Sequence, residues 1–140
     1  MALELVPLCT VDITLGETVW VGDGPAGLRV IAEVASGTVT GERLQGTLAA
    51  GSAADWLVVN GTVGTVDVRA TIRTDDGALI FVQYRGRMDV TDGPGSVPFH
   101  VAPTFETSDE RYAWLNTVQA IGVGTTDGQA VRYEWYEPRS

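Results

Sequence analysis

Along residues 66–73, Val66, Val68, Ala70 and Ile72 alternate with Asp67, Arg69, Thr71 and Arg73. A period of two puts apolar side chains on one face of a β-strand and polar ones on the other. The stretch "TDDG" follows, then the β-branched and aromatic run "ALIFVQYRGR", so the segment predicts a hairpin. Asp76 and Gly77 suit turn positions of positive φ. The same grammar recurs in "LELVPLCTVDITL", "LRVIAEVASGTVTG", "RLQGTLAAG", "DWLVVNGTVGTV", "FHVAPTFET", "RYAWLNTVQAIGVGT" and "AVRYEWYE", short runs punctuated by Gly, Asp, Asn and Pro. No helical period is sustained. About eight to ten short strands without crossover helices predict an all-β, antiparallel barrel or sandwich. Of these the up-and-down, lipocalin-like barrel is preferred, with residues 1–140 as a single domain. The Gly- and Pro-rich stretch "MDVTDGPGSVP", residues 88–98, is longer than a tight hairpin turn and reads as a rim or lid loop, or as plain surface loop.

Composition narrows the partners. The chain has 140 residues, a formal charge of −9 and nine basic residues scattered along it, which disfavours phosphate backbones and anionic headgroups. Neither nucleic acid nor membrane is expected as a partner, and the acidity also serves solubility. With one cysteine, Cys9, and one histidine, His100, no intramolecular disulfide or thiolate cluster can form and no metal is expected. "GDGPAG" at 22–27 has the letters of a dinucleotide fingerprint, but Pro25 and the following "LRVIAEV" read as a turn into a strand rather than a helix start. No cofactor is expected. The start lacks a basic and apolar leader, so a cytoplasmic chain is expected and the sequon at Asn60 carries no weight.

The densest chemistry is "FETSDERYAWLN", residues 105–116. Read with a period of two, Tyr112, Trp114 and Asn116 share one strand face, and His100, Thr104 and Glu106 share a face on the preceding run. "TSDE" supplies the turn between them. Such a pair offers a carboxylate, a phenol, an indole and an amide on one wall.

The segments "GTVTGERLQGTLAAGSAADW", "DVRATIRTDDGALIFVQYRG", "FETSDERYAWLN", "IGVGT" and "VRYEWYE" resemble, in order and over nearly the whole length, the bacterial and fungal domain-of-unknown-function family numbered 3237. The resemblance implies a small antiparallel barrel with a polar-lined interior. Some relatives lie in aromatic polyketide pathways, such as those to xanthone-type products, where an isomerase role is attributed to them. The family's motif positions fall here on Asp55, Trp56, Arg69, Thr74, Asp75, Asp76, Tyr84, Phe105, Glu106, Arg111, Tyr112, Trp114 and Asn116. The loop after "YRGRMDV" is shorter than the family's.

Candidate roles follow. Glu106, against Trp114 and Phe105, is a general base if burial raises its pKa, or else the salt-bridge partner of Arg111. Arg69 pairs with an anionic or enolate ligand if its face lines the barrel, and is an ordinary exposed strand residue otherwise. Asn116 donates to an enolate oxygen, or bonds local backbone. Tyr112, Tyr84 and Trp114 position a flat ring, or are core aromatics. Asp55 and Trp56 start a strand or reach the pocket, and His100 sits at a rim. The expected function is a cofactor-independent isomerase or cyclase moving a proton on an aromatic or polycyclic polyketide-like ketone or phenol. A ligand carrier, a lactone hydrolase and a homo-oligomeric structural module are the rivals.

Overall fold

The computed structural model describes all 140 residues. Ten strands form one antiparallel sheet: β1 (Glu4–Gly24), β2 (Gly27–Thr40), β3 (Gly46–Leu48), β4 (Ala54–Asn60), β5 (Val63–Thr74), β6 (Leu79–Asp89), β7 (Phe99–Val101), β8 (Thr104–Glu106), β9 (Ile121–Thr126) and β10 (Ala130–Arg139). Eight of them close a ring in chain order, β1-β2-β4-β5-β6-β7-β9-β10 and back to β1. This is the expected up-and-down barrel. β3 bridges β2 and β5 at one end, and β8 lies beside β6. Not all the strands are short, because β1 runs 21 residues and β2 runs 14. No helix is long and apolar enough to cross a membrane.

The 66–73 alternation behaves as its period requires. Val66, Val68, Ala70 and Ile72 are buried, each exposed to 2% or less, and β5 pairs with β6 without interruption from Val63–Asp89 to Arg73–Leu79. Gly77 takes φ +95°, whereas Asp76 keeps a negative φ and spends its carboxylate on side-chain bonds instead. "GDGPAG" forms the turn between β1 and β2.

One end of the barrel is solid. Leu44, Ile72, Ile80, Leu115, Phe105 and Trp135 are buried there, and Trp135 meets Phe105 and Tyr84 edge-on at centroid distances of 5.9 and 5.5 Å. Each such aromatic pair contributes about 0.5–1.5 kcal/mol beyond its buried area. Room for these rings comes from glycines on the inner face: a Cβ on Gly124 would lie 2.6 Å from Phe99 Cζ, and one on Gly122 would overlap Trp135.

The main departure from the expected strands is residues 110–117. Glu110–Thr117 is a 3₁₀ helix, capped by Asp109, whose carboxylate accepts the Arg111 N–H at 2.9 Å. Its inward residues recur every third position: Leu115 and Val118 are buried and Tyr112 packs against the core, the eclipsed spacing of a 3₁₀ turn rather than the alternation of a strand. An Asp N-cap followed by Glu is a helix-start signal, and the single buried residue Leu115 is too little apolar surface for a barrel stave.

The nine arginines divide into two groups. Arg43, Arg111, Arg132 and Arg139 sit in ion pairs. The other five, Arg29, Arg69, Arg73, Arg85 and Arg87, project from the outer faces of β2, β5 and β6.

Ring closure rests on the three-residue β7, which meets β6 only at Gly86–Val101 and Arg87–His100. A Cβ on Gly86 would overlap the His100 carbonyl. Gly86→Ala is therefore expected to lower unfolding stability by about 1–3 kcal/mol, measured by urea denaturation.

Candidate functional site

Above the solid end the barrel is hollow. A cavity of about 490 Å³ runs from Tyr84 and Asp55 to an opening framed by Trp20 and Leu28 of β1 and β2, Gly61 of the β4–β5 turn, Val90 and Pro94 of the loop after β6, and Gly128 of the β9–β10 turn. The stretch 88–98 thus supplies part of the rim. Seventeen of the 23 lining residues are hydrophobic, so the interior is apolar rather than polar-lined. Broader concavities on the outside, such as the groove beside the Asp12–Arg132 ion pair, shield no acid from water.

Asp55 is the one ionised side chain in the lining. Successive rungs carry Ala32, Asp55, Val68 and Tyr84 across β2, β4, β5 and β6 on the inner face. The ladder opens locally to hold it. Pairing of β4 with β5 runs Ala54–Arg69 and Asp55–Val68, then resumes at Val58–Thr65. In the gap the Asp67 N–H donates to Asp55 Oδ1 at 2.9 Å, and the Trp56 carbonyl accepts from Arg29 Nη1 at 2.6 Å. Burial pushes the Asp55 carboxyl up to about 6 and the neighbouring Asp67 charge adds to this, while the Asp67 N–H and the Arg29 guanidinium pull the other way. Burial strips the carboxylate of much of its water, and a single amide donor compensates only in part.

Tyr84 and Tyr133 stand over the same floor, their rings edge-on at 5.2 Å and 73°. Burial raises both phenols well above the ordinary tyrosine range, and the Asp55 charge adds to the effect in each. Both therefore stay protonated as donors while Asp55 is poised to exchange a proton near neutrality. An acid with a near-neutral pKa beside two neutral phenols, in an apolar hollow, suits general acid–base chemistry.

Asp55 and Tyr84 reach the cavity, and the remaining candidates do not. Glu106 and Arg69 are exposed on the outer wall, and Arg69 lies over the outward-facing Trp56 ring at 5.8 Å. His100 is exposed beside Arg87. Phe105 belongs to the solid end, and Trp114 lies outside under Arg43 at 5.2 Å. Tyr112 and Asn116 serve the 3₁₀ helix. Tyr112 Oη donates to Asp76 at 2.8 Å, Thr74 Oγ1 donates to the same carboxylate at 2.6 Å, and Asn116 exchanges bonds with the Thr107 backbone at 2.9 and 3.0 Å. Arg111 pairs with Asp109 and Asp76, not with Glu106. "RTDDGALI" and "RYAWLN" are therefore the two halves of a clasp that docks the helix on the β5–β6 turn. The expected convergence of Glu106, Arg69, Tyr112 and Asn116 fails because alternation says which residues share a face, not which face is concave. Tyr133 was missed. Its signal was the alternation Val131, Tyr133, Trp135 in "VRYEWYE".

A closed meander around one apolar hollow defines a small β-barrel protein. The chain belongs to the protein-of-unknown-function family DUF3237, which it matches over residues 3–137. It is 30% identical over 115 residues to the hydroalkoxylation enzyme phnH of Penicillium herquei, covering 82% of this chain and 70% of that protein. A UPF0311 protein of Clostridium acetobutylicum is 28% identical over 119 residues, covering 76% of this chain and 75% of its own. Among solved structures, a beta-barrel like protein of Acinetobacter baumannii superposes with a TM-score of 0.89 at 30% identity, covering 99% and 98% of the two chains. An enzyme from Penicillium herquei does so at 0.71 and 26%, covering 98% and 96%.

Two outcomes test this geometry. A carboxyl whose folded pKa lies above its unfolded value binds its proton more tightly when folded, so stability falls as pH rises from the unfolded pKa through about 6 and is level above that. Urea titrations of wild type and Asp55→Asn are expected to diverge across this window by up to about 3 kcal/mol, with the variant the more stable at pH 7. Asp76→Asn and Tyr112→Phe are expected to lower the thermal midpoint while leaving uptake of a cavity ligand unchanged, by calorimetry and titration.

Proposed function

We propose that the barrel is a cofactor-independent acid–base enzyme that moves a proton within an aromatic or polycyclic, polyketide-like ketone or phenol. The observation that carries this reading is Asp55 alone among apolar side chains, with two buried phenols beside it. As carboxylate, Asp55 takes a proton from an acidic O–H or C–H of the enclosed molecule and returns it to another atom of that molecule, with no net redox change. Tyr84 and Tyr133 donate to the oxygen on which charge develops, a contribution that grows in a water-excluded site. The hydroalkoxylation of the Penicillium herquei relative calls on the same groups, since adding O–H across a carbon–carbon double bond takes the proton from oxygen, bonds that oxygen to one carbon and protonates the other. A cavity of about 490 Å³ holds a molecule of a few fused rings.

A carrier would use the same hollow without turning its ligand over. The two readings separate by deuterium incorporation at an acidic carbon of a bound cyclic diketone in heavy water. Enzymatic exchange is expected to rise with pH through about 6 as Asp55 ionises, and to fall about a hundredfold or more in Asp55→Asn, while Glu106→Gln exchanges at the wild-type rate. Binding without exchange would sink the enzymatic reading.

A further inference from the structure

Past its last pair with β10, Thr14–Ala130, β1 continues as an edge strand of the barrel wall. Its pairing with β2 runs on to Gly24–Gly27, and β2 there is itself paired with β4 from Leu28–Val59 to Glu33–Ala54. Residues 16–24 thus have a strand partner on one side only. Register with β2 shifts between Leu15 and Thr18 and again between Trp20 and Gly22, so the ladder loosens on both sides of Trp20.

Trp20 is 68% exposed, yet it lines the cavity mouth. Val19 and Val21 beside it are also exposed. A large indole left in water at the edge of an apolar hollow is a patch that calls for an occupant. Leu28, Val90 and Pro94 line the same mouth, and no arginine or histidine reaches the lining. An anionic ligand would find no counter-charge and would face Asp55. A cation would meet one carboxylate and too few other acceptors to replace its water. An uncharged ring bearing a hydroxyl suits both ends, with an O–H for Asp55 and a flat apolar face for the indole.

We propose that Trp20 is the ring-stacking residue of the cavity, and that the free edge of β1 lays its indole over a flat, uncharged, hydroxyl-bearing ring system seated on Asp55. This rests on the cavity being the ligand site proposed above, and adds to it the substrate class and the residue that selects it. A ring seated against the indole buries it and fills the mouth, which excludes water from the site of proton transfer.

Calorimetric titration with 2-naphthol, 2-naphthoate and 2-naphthylmethylamine tests the proposal, with circular dichroism to verify that each variant is folded. The wild type is expected to bind 2-naphthol at least about tenfold more tightly than either charged analogue. Trp20→Ala is expected to weaken 2-naphthol about tenfold and Trp20→Phe only slightly, while Trp56→Ala, on the outer wall, has no effect. If Trp20→Ala binds within twofold of wild type while Asp55→Asn is weakened, the stacking role is overturned and the cavity reading stands. If the wild type takes up none of the three, the cavity reading falls and this proposal with it. Tighter binding of a charged analogue overturns the substrate class. A concentration-dependent mass in sedimentation that Trp20→Ala abolishes, with naphthol affinity unchanged, would give the free edge of β1 to a second copy of the chain and overturn the proposal.

Discussion

Closure of the hydrogen-bonded ring is the constraint on which everything else in this molecule depends. An open sheet of these strands would have two faces in water and no interior. Closed, it has one convex and one concave face, and alternate residues of every stave are committed to a shared hollow. The closure passes through β7, three residues long and joined to β6 beside Gly86, so a narrow strip of backbone holds a large apolar interior together.

What fills that interior grades along the axis. At one end Ile72, Ile80, Leu115, Phe105 and Trp135 pack solidly, and the clasp between the β5–β6 turn and the 3₁₀ helix seals them. Toward the other end side chains thin out and the four rim segments stand apart. The boundary between solid and hollow is the Tyr84–Tyr133 pair, and Asp55 lies on it. A carboxylate is costly in such a place. The chain accommodates it by interrupting the β4–β5 ladder, giving the Asp67 N–H to the acid and the Trp56 carbonyl to Arg29. Asp67 itself retains a buried Oδ1 without a partner, so the local arrangement is weighted toward holding Asp55 rather than toward stability.

The clasp accounts for why the chemistry-rich stretch 105–116 drew attention as a site. Docking a short 3₁₀ helix onto a barrel end with little apolar surface takes directional bonds. Asp76, Tyr112, Arg111, Asp109 and Asn116 supply them. The Thr74 and Tyr112 hydroxyls hold the Asp76 carboxyl below the ordinary carboxylate range, as expected of an acid whose charge is used for structure. Polar residues dense enough to suggest catalysis here do the work that a hydrophobic face does elsewhere in the chain.

The sequence by itself determined the local grammar: the alternation of 66–73, the "TDDG" turn, the absence of long helices, the hairpin order that makes a meander, and the family. These are properties of neighbours along the chain, where period and turn chemistry act directly. The tertiary structure alone decided which face of each strand became concave. It also decided that period three, not two, governs Tyr112, Leu115 and Val118. It sent Asp55 inside while Glu106, the stronger candidate on paper, stayed in water. Strand alternation divides residues into two sets but is symmetric between them, and only curvature imposed by ring closure over long sequence separations breaks that symmetry.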